Sequence, residues 1–486
     1  MSSARPSPHD ARVASTLAHI ETARATCDRT IDSLQKRQDT AEETLADIRK
    51  TLKKWDDMKD RFGQVLDATL RRAITAIKEE EHDGKDRGPP RDSTAHGFDC
   101  KQPLPNPKCL VECASVARPN MVAQIPAHEY HDEPEALQSK TRLLAHMLRA
   151  GKHSVVYTGA GISTAAGISD YATKSGRKSI VAPKSSKKSD GTPFQPGSSI
   201  DSSPTYAHKA LNALHSKGLL GGGWVQQNHD ALAQKSGFPQ EEINEIHGSW
   251  FDPSNPVVPM DGSLRRDNCL RLNETKSNAD LVLVMGTSLS GVAADQLVLD
   301  VGHRRKWEAE KEGNALSAIA EDEEETEASV PAALGVVIVN VQQTRLDHLA
   351  SLRIFASCDE VMKLLSLELG LQVPHDPQKR DRRGGGLSPA NDVWSSLPYN
   401  PCTGHARPSN AEEADTTLDL RAGQRVKLAF GNAPMAKEGT EGVVSGKTDQ
   451  GHYKIAFDDG ETRVLGTWML EAARRGKLAR LPVVNV

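Results

Sequence analysis

Aromatic side chains are scarce, at 4% of 486 residues, and long apolar runs are missing altogether. The longest run, Ala332 to Val339, is about eight residues with its glycine counted, where a membrane span needs ~18. A spanning helix is therefore excluded, and the chain is expected to be soluble with no membrane partner. Cysteine is sparse too: seven residues, an odd number and widely scattered, do not make a disulfide framework. That usage fits a reduced intracellular setting and leaves nucleus and cytoplasm equally open. The first ten residues contain no apolar h-region, so no secretory leader is expected. Neither sign of charge dominates, since 61 Lys and Arg face 65 Asp and Glu for a net −4. This excludes a polybasic tail as the main feature. With 37% hydrophobic residues, part of the length is expected to lie outside any core.

What is present divides into five stretches. From Val13 to Glu81 there is no proline and one glycine, Gly63, in a composition rich in Ala, Leu, Glu, Lys and Arg. Leu17, Ile31, Leu45, Leu52 and Leu66 recur in a seven-residue register, with Ile20, Leu34, Ile48, Trp55 and Phe62 interleaved. That 3-and-4 spacing predicts a coiled-coil helix over residues 10–83, which would join copies of the chain; a hairpin folding back on the chain is the alternative. Residues 84–134 lose periodicity and carry many prolines, so they read as a linker. Its Cys100, Cys109 and Cys113, near His96, have no recognised four-ligand spacing and read as free thiols.

Between residues 135 and 373 short apolar strands alternate with amphipathic helical stretches, the pattern of an α/β fold with a doubly wound parallel sheet. Strands are expected at Ser154–Thr158, 223–226, Leu281–Met285 and Gly335–Val339, and a last helix over 359–369. The Lys/Ser-rich span 174–190 and the acidic span 308–329 read as solvated loops; the lysines of the first could also draw phosphate or an acidic partner. Residues 374–416 read as a second linker, and 417–486 as a small SH3-like β-barrel of the KOW or Tudor type, with a tight turn at Asp459-Gly460. Such a barrel either takes a peptide or nucleic-acid partner or serves as packing.

The strongest chemical signal is Thr158-Gly-Ala-Gly-Ile-Ser-Thr-Ala-Ala-Gly-Ile-Ser-Asp-Tyr171, at an expected strand-to-helix junction. Gly159 and Gly161 would let backbone approach a diphosphate, which a helix start would receive with its free N–H groups. Thr164 stands where the third glycine of a dinucleotide fingerprint would be, so taken alone the segment could equally be a tight turn. Downstream stand Gln227-Asn-His-Asp230, Glu245-Ile-His-Gly248, Met285-Gly-Thr-Ser-Leu289 and Val339-Asn340.

With these motifs in this order, residues 135–373 resemble the sirtuins, a family of NAD-dependent protein deacylases with a Rossmann-like core. The resemblance implies a cofactor set of Gly159, Ala160, Gly161, Ser163 and Thr164 around the diphosphate, with Asp170 and Gln227 beside them. It places Asn228 and Asp230 at the nicotinamide end, Gly286, Thr287 and Ser288 at the far phosphate and ribose, Asn340 on the adenosine ribose and Asp359 near adenine. His247 would be the general base, with Asn228 beside it in catalysis, acting on NAD and an acylated lysine of a protein. The implied reaction moves the acyl group from lysine to ADP-ribose and releases nicotinamide; ADP-ribosyl transfer or a weakened NAD-binding scaffold is the alternative.

Three departures qualify the match. Cys269 is the sole cysteine between His247 and Gly286, so the family's two Cys-x-x-Cys pairs are missing and no zinc is expected there. The segment 250–259 must then close the small domain by packing. Ser169 and Ala172 stand where the family has Pro and Arg, which removes a cation near the cofactor loop. His229 and Ala233 replace the usual apolar residue and histidine, which alters the nicotinamide pocket.

Overall fold

A computed structural model describes residues 89–117, 125–170, 202–319, 333–374 and 391–486, apart from 91–92, 260–261, 408–414 and 433, together with the single residues 179 and 389. The coiled-coil expectation over 10–83, most of the 174–190 loop and the acidic run at 321–325 lie outside these residues. The chain divides into two units, 1–86 and 87–486, and all that follows concerns the second.

Two short strands open it, β1 (Lys108–Val111) and β2 (Glu129–His131), paired antiparallel. The central sheet then takes β3 (Ser154–Thr158), β4 (Trp224–Gln226), β5 (Ile243–Glu245), β6 (Leu281–Met285), β7 (Gly335–Val339) and β8 (Leu352–Ile354). All six pair parallel in the order β5-β4-β3-β6-β7-β8. Every residue of β3, β6 and β7 is buried, which accounts for their nearly continuous apolar sequences: such strands are covered on both faces. One face packs on Leu144, Leu148, Leu211, Val361 and Leu365 from the helices Pro134–Ala150, Tyr206–Ser216 and Cys358–Leu369. The other packs on Leu272, Leu297, Val298 and Val301 from Arg266–Asn278 and Gln296–Ile319. The sheet is therefore doubly wound, a Rossmann-like α/β core. Its chain runs from β3 outward through β4 and β5, then returns to β6 on the other side of β3. That reversal opens a crevice at the carboxyl ends of β3 and β6, where ligands of open α/β sheets bind.

Differences from the sequence reading have local causes. The helix Gln296–Ile319 continues into the span read as an acidic loop, because Glu308, Glu310 and Lys311 sit on a helix that begins apolar and buried. Within 84–134, the turn Ser93–His96 and the strands β1 and β2 are tied to the sheet: the amides of Phe98, Tyr130 and Asp132 donate to the carbonyls of Ala350, Val341 and Phe355 at 2.9, 2.7 and 2.6 Å. Its described residues are held by backbone bonds to the core, which leave no periodic apolar pattern.

The C-terminal region carries a strand pair, β9 (Val393–Leu397) with β10 (Thr416–Asp419). Beside it stands a five-stranded antiparallel sheet of β11 (Arg425–Leu428), β12 (Glu441–Lys447), β13 (Tyr453–Phe457), β14 (Thr462–Leu465) and β15 (Val483–Asn485), ordered β14-β13-β12-β11-β15. Alternating burial along β13, with Tyr453, Ile455 and Phe457 inward, follows from one covered face. The helix Thr467–Arg474 covers that face, and Trp394 joins the core with its indole N–H donating to the Tyr453 hydroxyl at 3.0 Å.

Candidate active site

The loop after β3 contains two short 3-10 turns, Ala160–Ile162 and Thr164–Ala166, ended by Gly167 at φ +85°, rather than the start of a regular helix. It meets the loop after β6 backbone to backbone. A Cβ on Gly159 would lie 2.7 Å from the Thr287 Cβ, and one on Gly161 would lie 2.8 Å from the Gly286 Cα. These glycines are thus required by the approach of the two loops to each other.

Around this contact, most of the expected residues are hydrogen-bonded, in a few small groups. The Ser163 hydroxyl donates to Asp230 Oδ2 at 2.7 Å, and the Asn228 amide donates to Ser163 Oγ at 3.0 Å and to the Gly159 carbonyl at 3.1 Å. Asp230 Oδ1 receives the Leu232 amide at 2.9 Å. Gln227 donates to Thr287 Oγ1 at 3.1 Å and to the Tyr157 hydroxyl, and Asn340 donates to the Thr287 carbonyl at 3.3 Å. Thr164 Oγ1 donates to the Gly161 carbonyl, and the Ser288 hydroxyl bonds that of Ser290. Ala160 is half-buried at the head of the first turn, and Asp170 half-buried at the end of the described loop.

His247 sits half-buried two residues past β5, with its ring hydrogen-bonded to the Gln227 carbonyl. Loss of hydration chiefly, and the neighbouring His229 next, hold its imidazole down at about 4, against the upward pull of that carbonyl. It is neutral at physiological pH. His229 bonds the Gly248 carbonyl through Nδ1 at 2.9 Å, and burial lowers its pKa as well. Gly248, at φ +88°, is forced: a Cβ there would fall 2.2 Å from the Pro256 carbonyl oxygen. Beyond it, segment 250–259 is tied by Ser249 N to the Asn255 carbonyl, by Asp252 to Ser254 and Arg265, and by the Asn255 amide to the Glu245 carbonyl.

Asp359 stands apart from this cluster, accepting the Ala207 amide at 2.8 Å at the start of the helix Tyr206–Ser216. Its charge and that of Asp230 both reach His208, whose burial nevertheless holds it down at about 4.

Sequence reading missed three supporting groups. Tyr157, buried in β3, donates to Asp295 at 2.8 Å and so orients Gln227; Asp295 also receives the amides of Gly291 and Val292. Arg353, fully buried, pairs with Asp347 and donates to the carbonyls of Asn340 and Gln342 at 2.9 and 2.6 Å, shaping the loop after β7. Glu245, buried at the end of β5, has its carboxyl pushed up to about 7, chiefly by desolvation. A guanidinium inside an apolar strand and a phenol in Val-Val-Tyr-Thr were the available signals.

Comparison with known proteins covers about half of the chain. Mouse NAD-dependent protein deacetylase sirtuin-7 is 30% identical over 268 residues, spanning 51% of this chain and 63% of the mouse protein. Over that stretch the chain is similar to the sirtuins. Rice (Oryza sativa subsp. indica) NAD-dependent protein deacetylase SRT1 is 30% identical over 292 residues, covering 52% of this chain and 53% of the relative. Drosophila melanogaster Sirt6, also named an NAD-dependent protein deacetylase, is 27% identical over 309 residues, covering 55% and 88%. The chain thus spans less than two thirds of the mouse and rice relatives. No family model matches. A solved structure titled "Structural Basis for the Mechanism and Regulation of Sir2 Enzymes" is 22% identical with a TM-score of 0.35, covering 48% of this chain and 98% of that one. Among the described residues, no helix is long and apolar enough to cross a membrane.

Proposed function

We propose that this chain is an NAD-dependent protein-lysine deacylase. The observation that carries the reading is the junction of the loops after β3, β4 and β6 at the sheet's reversal, with His247 hydrogen-bonded to the backbone of the same Gln227–Asp230 segment. The polar side chains suit a dinucleotide. Ser163, Asn228 and Asp230 offer one buried hydroxyl, one amide and one carboxylate, and the glycine turns expose backbone at a crevice edge.

Gly159 to Thr164 would face the diphosphate, Asn228 and Asp230 the nicotinamide end, and Gly286, Thr287, Ser288 and Asn340 the adenosine half; Asp359 would act on the adenine side through its hold on the helix Tyr206–Ser216. Bound NAD supplies an electrophilic ribose carbon with nicotinamide as leaving group. His247 supplies the base. Its bond to the Gln227 carbonyl takes up one ring N–H, which leaves the other nitrogen with a lone pair to receive a proton from a sugar hydroxyl. Tyr157 and Asp295 hold Gln227, and through it that ring, in one orientation.

The same reading includes an acylated lysine on a protein as second substrate, an intracellular location, oligomerisation through a coiled coil at 10–83, and an SH3-like barrel at 417–486 that takes a peptide or nucleic acid. The antiparallel order β14-β13-β12-β11-β15 supports the barrel. The test is nicotinamide release from NAD that depends on an acylated peptide. His247→Ala is expected to abolish release while calorimetry still detects NAD binding. If the unaltered chain binds NAD and releases nothing with any acyl-lysine, the second reading, a weakened NAD-binding scaffold, takes its place; Ala172, where the family has arginine, favours it.

A further inference from the structure

We propose that the C-terminal sheet is a working part of the candidate active site: Val464 and Trp468 close over Phe251 and Ala231, and thereby position the Asp230 and His247 loops. The inference rests on the deacylase reading.

Three facts lead to it. First, the residue after Asp230 is strained. Ala231 is fully buried at φ +55°, in the left-handed region that a side chain with a Cβ adopts at a cost, and such a conformation persists only where its surroundings fix it. Those surroundings are Phe251 and Val464, with Trp250 and Trp468 packed on them, so half of the enclosure comes from β14 and the helix after it.

Second, the contact is built as an interior. Phe251 is 1% exposed and lies with its ring centroid 5.1 Å from His452 and 5.0 Å from Trp468, both tilted steeply to it. The Gly466 amide donates to the Phe251 carbonyl at 2.9 Å. The Lys235 ammonium lies 5.2 Å from the same ring. Farther along, the Asn432 amide donates to the Ser263 carbonyl at 2.8 Å, and Arg265, which holds Asp252, stacks on Phe430.

Third, the segment so held leads directly to the base. Trp250 N donates to the His229 carbonyl at 3.1 Å, and Val258 N to the His247 carbonyl at 3.0 Å. Segment 250–259 has no regular secondary structure and carries no cysteine, so its shape comes from hydrogen bonds and from what packs on it. An aromatic seal of this kind also keeps water from the far side of the His247 loop, which keeps the imidazole neutral.

The experiment compares the full chain with Trp468→Ala, Trp468→Phe and Arg475→Ala. The last removes a partly exposed pair with Glu241 at the rim of the same contact, where little is expected to change. Trp468→Ala should speed hydrogen exchange of the Val258 and Gly466 amides by tenfold or more. It should also lower kcat for peptide-dependent nicotinamide release by tenfold or more and move the acid limb of the pH profile upward, toward the ordinary histidine value. The NAD Kd should weaken as well, since Asp230 belongs to the cofactor site, and Trp468→Phe should restore most of the rate. Unchanged exchange overturns the proposal. So does a rate that falls only as the folded fraction falls, with the pH profile unmoved. If the parent chain releases no nicotinamide, the deacylase reading fails on that result, and the exchange contrast still decides whether the sheet holds these loops.

Discussion

The amide of Gly161 donates to the carbonyl of Gly286 at 2.8 Å, so the loops after the two central strands touch through bare backbone at the head of the crevice. Neither side has room to spare. A Cβ on Gly286 would lie 2.4 Å from the amide nitrogen of Ile162, and its φ of +63° disfavours any side chain.

Gly286→Ala is therefore expected to cost about 2–4 kcal/mol, the sum of left-handed strain and forced loop separation. Gly370→Ala is the control, at φ +59° with nothing within 4 Å, and should cost only about 1 kcal/mol. Urea unfolding of both variants measures the difference, and calorimetry should show NAD affinity weakened in the first alone. Equal losses would mean that loop crowding plays no part.

The pH dependence of stability follows from four buried groups. Burial chiefly holds His208, His247 and His452 each down at about 4. Between that value and 6.5 the unfolded chain takes up protons that the folded chain refuses, so stability rises with pH through this window. The slope is up to about 1.4 kcal/mol per pH unit for each histidine. Glu245, pushed up to about 7, acts oppositely: it stays protonated when folded, and its contribution fades as pH rises from 4.5 to 7. Three imidazoles outweigh one carboxyl, so the urea midpoint should climb from pH 5 to 6 and level off near 6.5. A midpoint higher at pH 5 than at pH 6 would contradict this burial.

Ala231 offers a test of strain with little chemistry attached. Ala231→Val should destabilise by about 2–3 kcal/mol, because a β-branched residue is a severe outlier at its φ of +55°. Ala231→Gly should fall within about 1 kcal/mol of the parent, since relief of strain and loss of a buried methyl offset each other. Denaturant midpoints of the pair decide it, and matching losses would remove backbone strain as the cause.

The central strands were readable because strands buried on both faces must be apolar throughout, as in Leu281–Met285 and Gly335–Val339. β5 and β8 were not, since Ile243-Asn-Glu245 and Leu352-Arg-Ile354 bury polar side chains, Asn244 bonded to the Asn268 carbonyl and Arg353 to Asp347 and the loop after β7. The motif residues of the loops after β3, β4 and β6 were legible by type and order, and they meet in space. The supporting groups were not, because Tyr157, Asp295 and Arg353 act through side-chain bonds across more than one strand or loop. The contact between Phe251 and Trp468 joins residues 217 positions apart, beyond any local pattern.

Lys140 has no exposure at all, and its ammonium is held by Asp132 at 2.7 Å and by the Ala95 carbonyl at 2.9 Å. Both partners lie upstream of residue 135, where the motif pattern begins. A fragment cut at that position would leave a cation inside the protein with no counter-charge, a loss of roughly 3–5 kcal/mol. The smallest piece of chain able to carry the crevice intact therefore reaches back at least to residue 93, and expression boundaries drawn from motif alignment alone would fall some forty residues short.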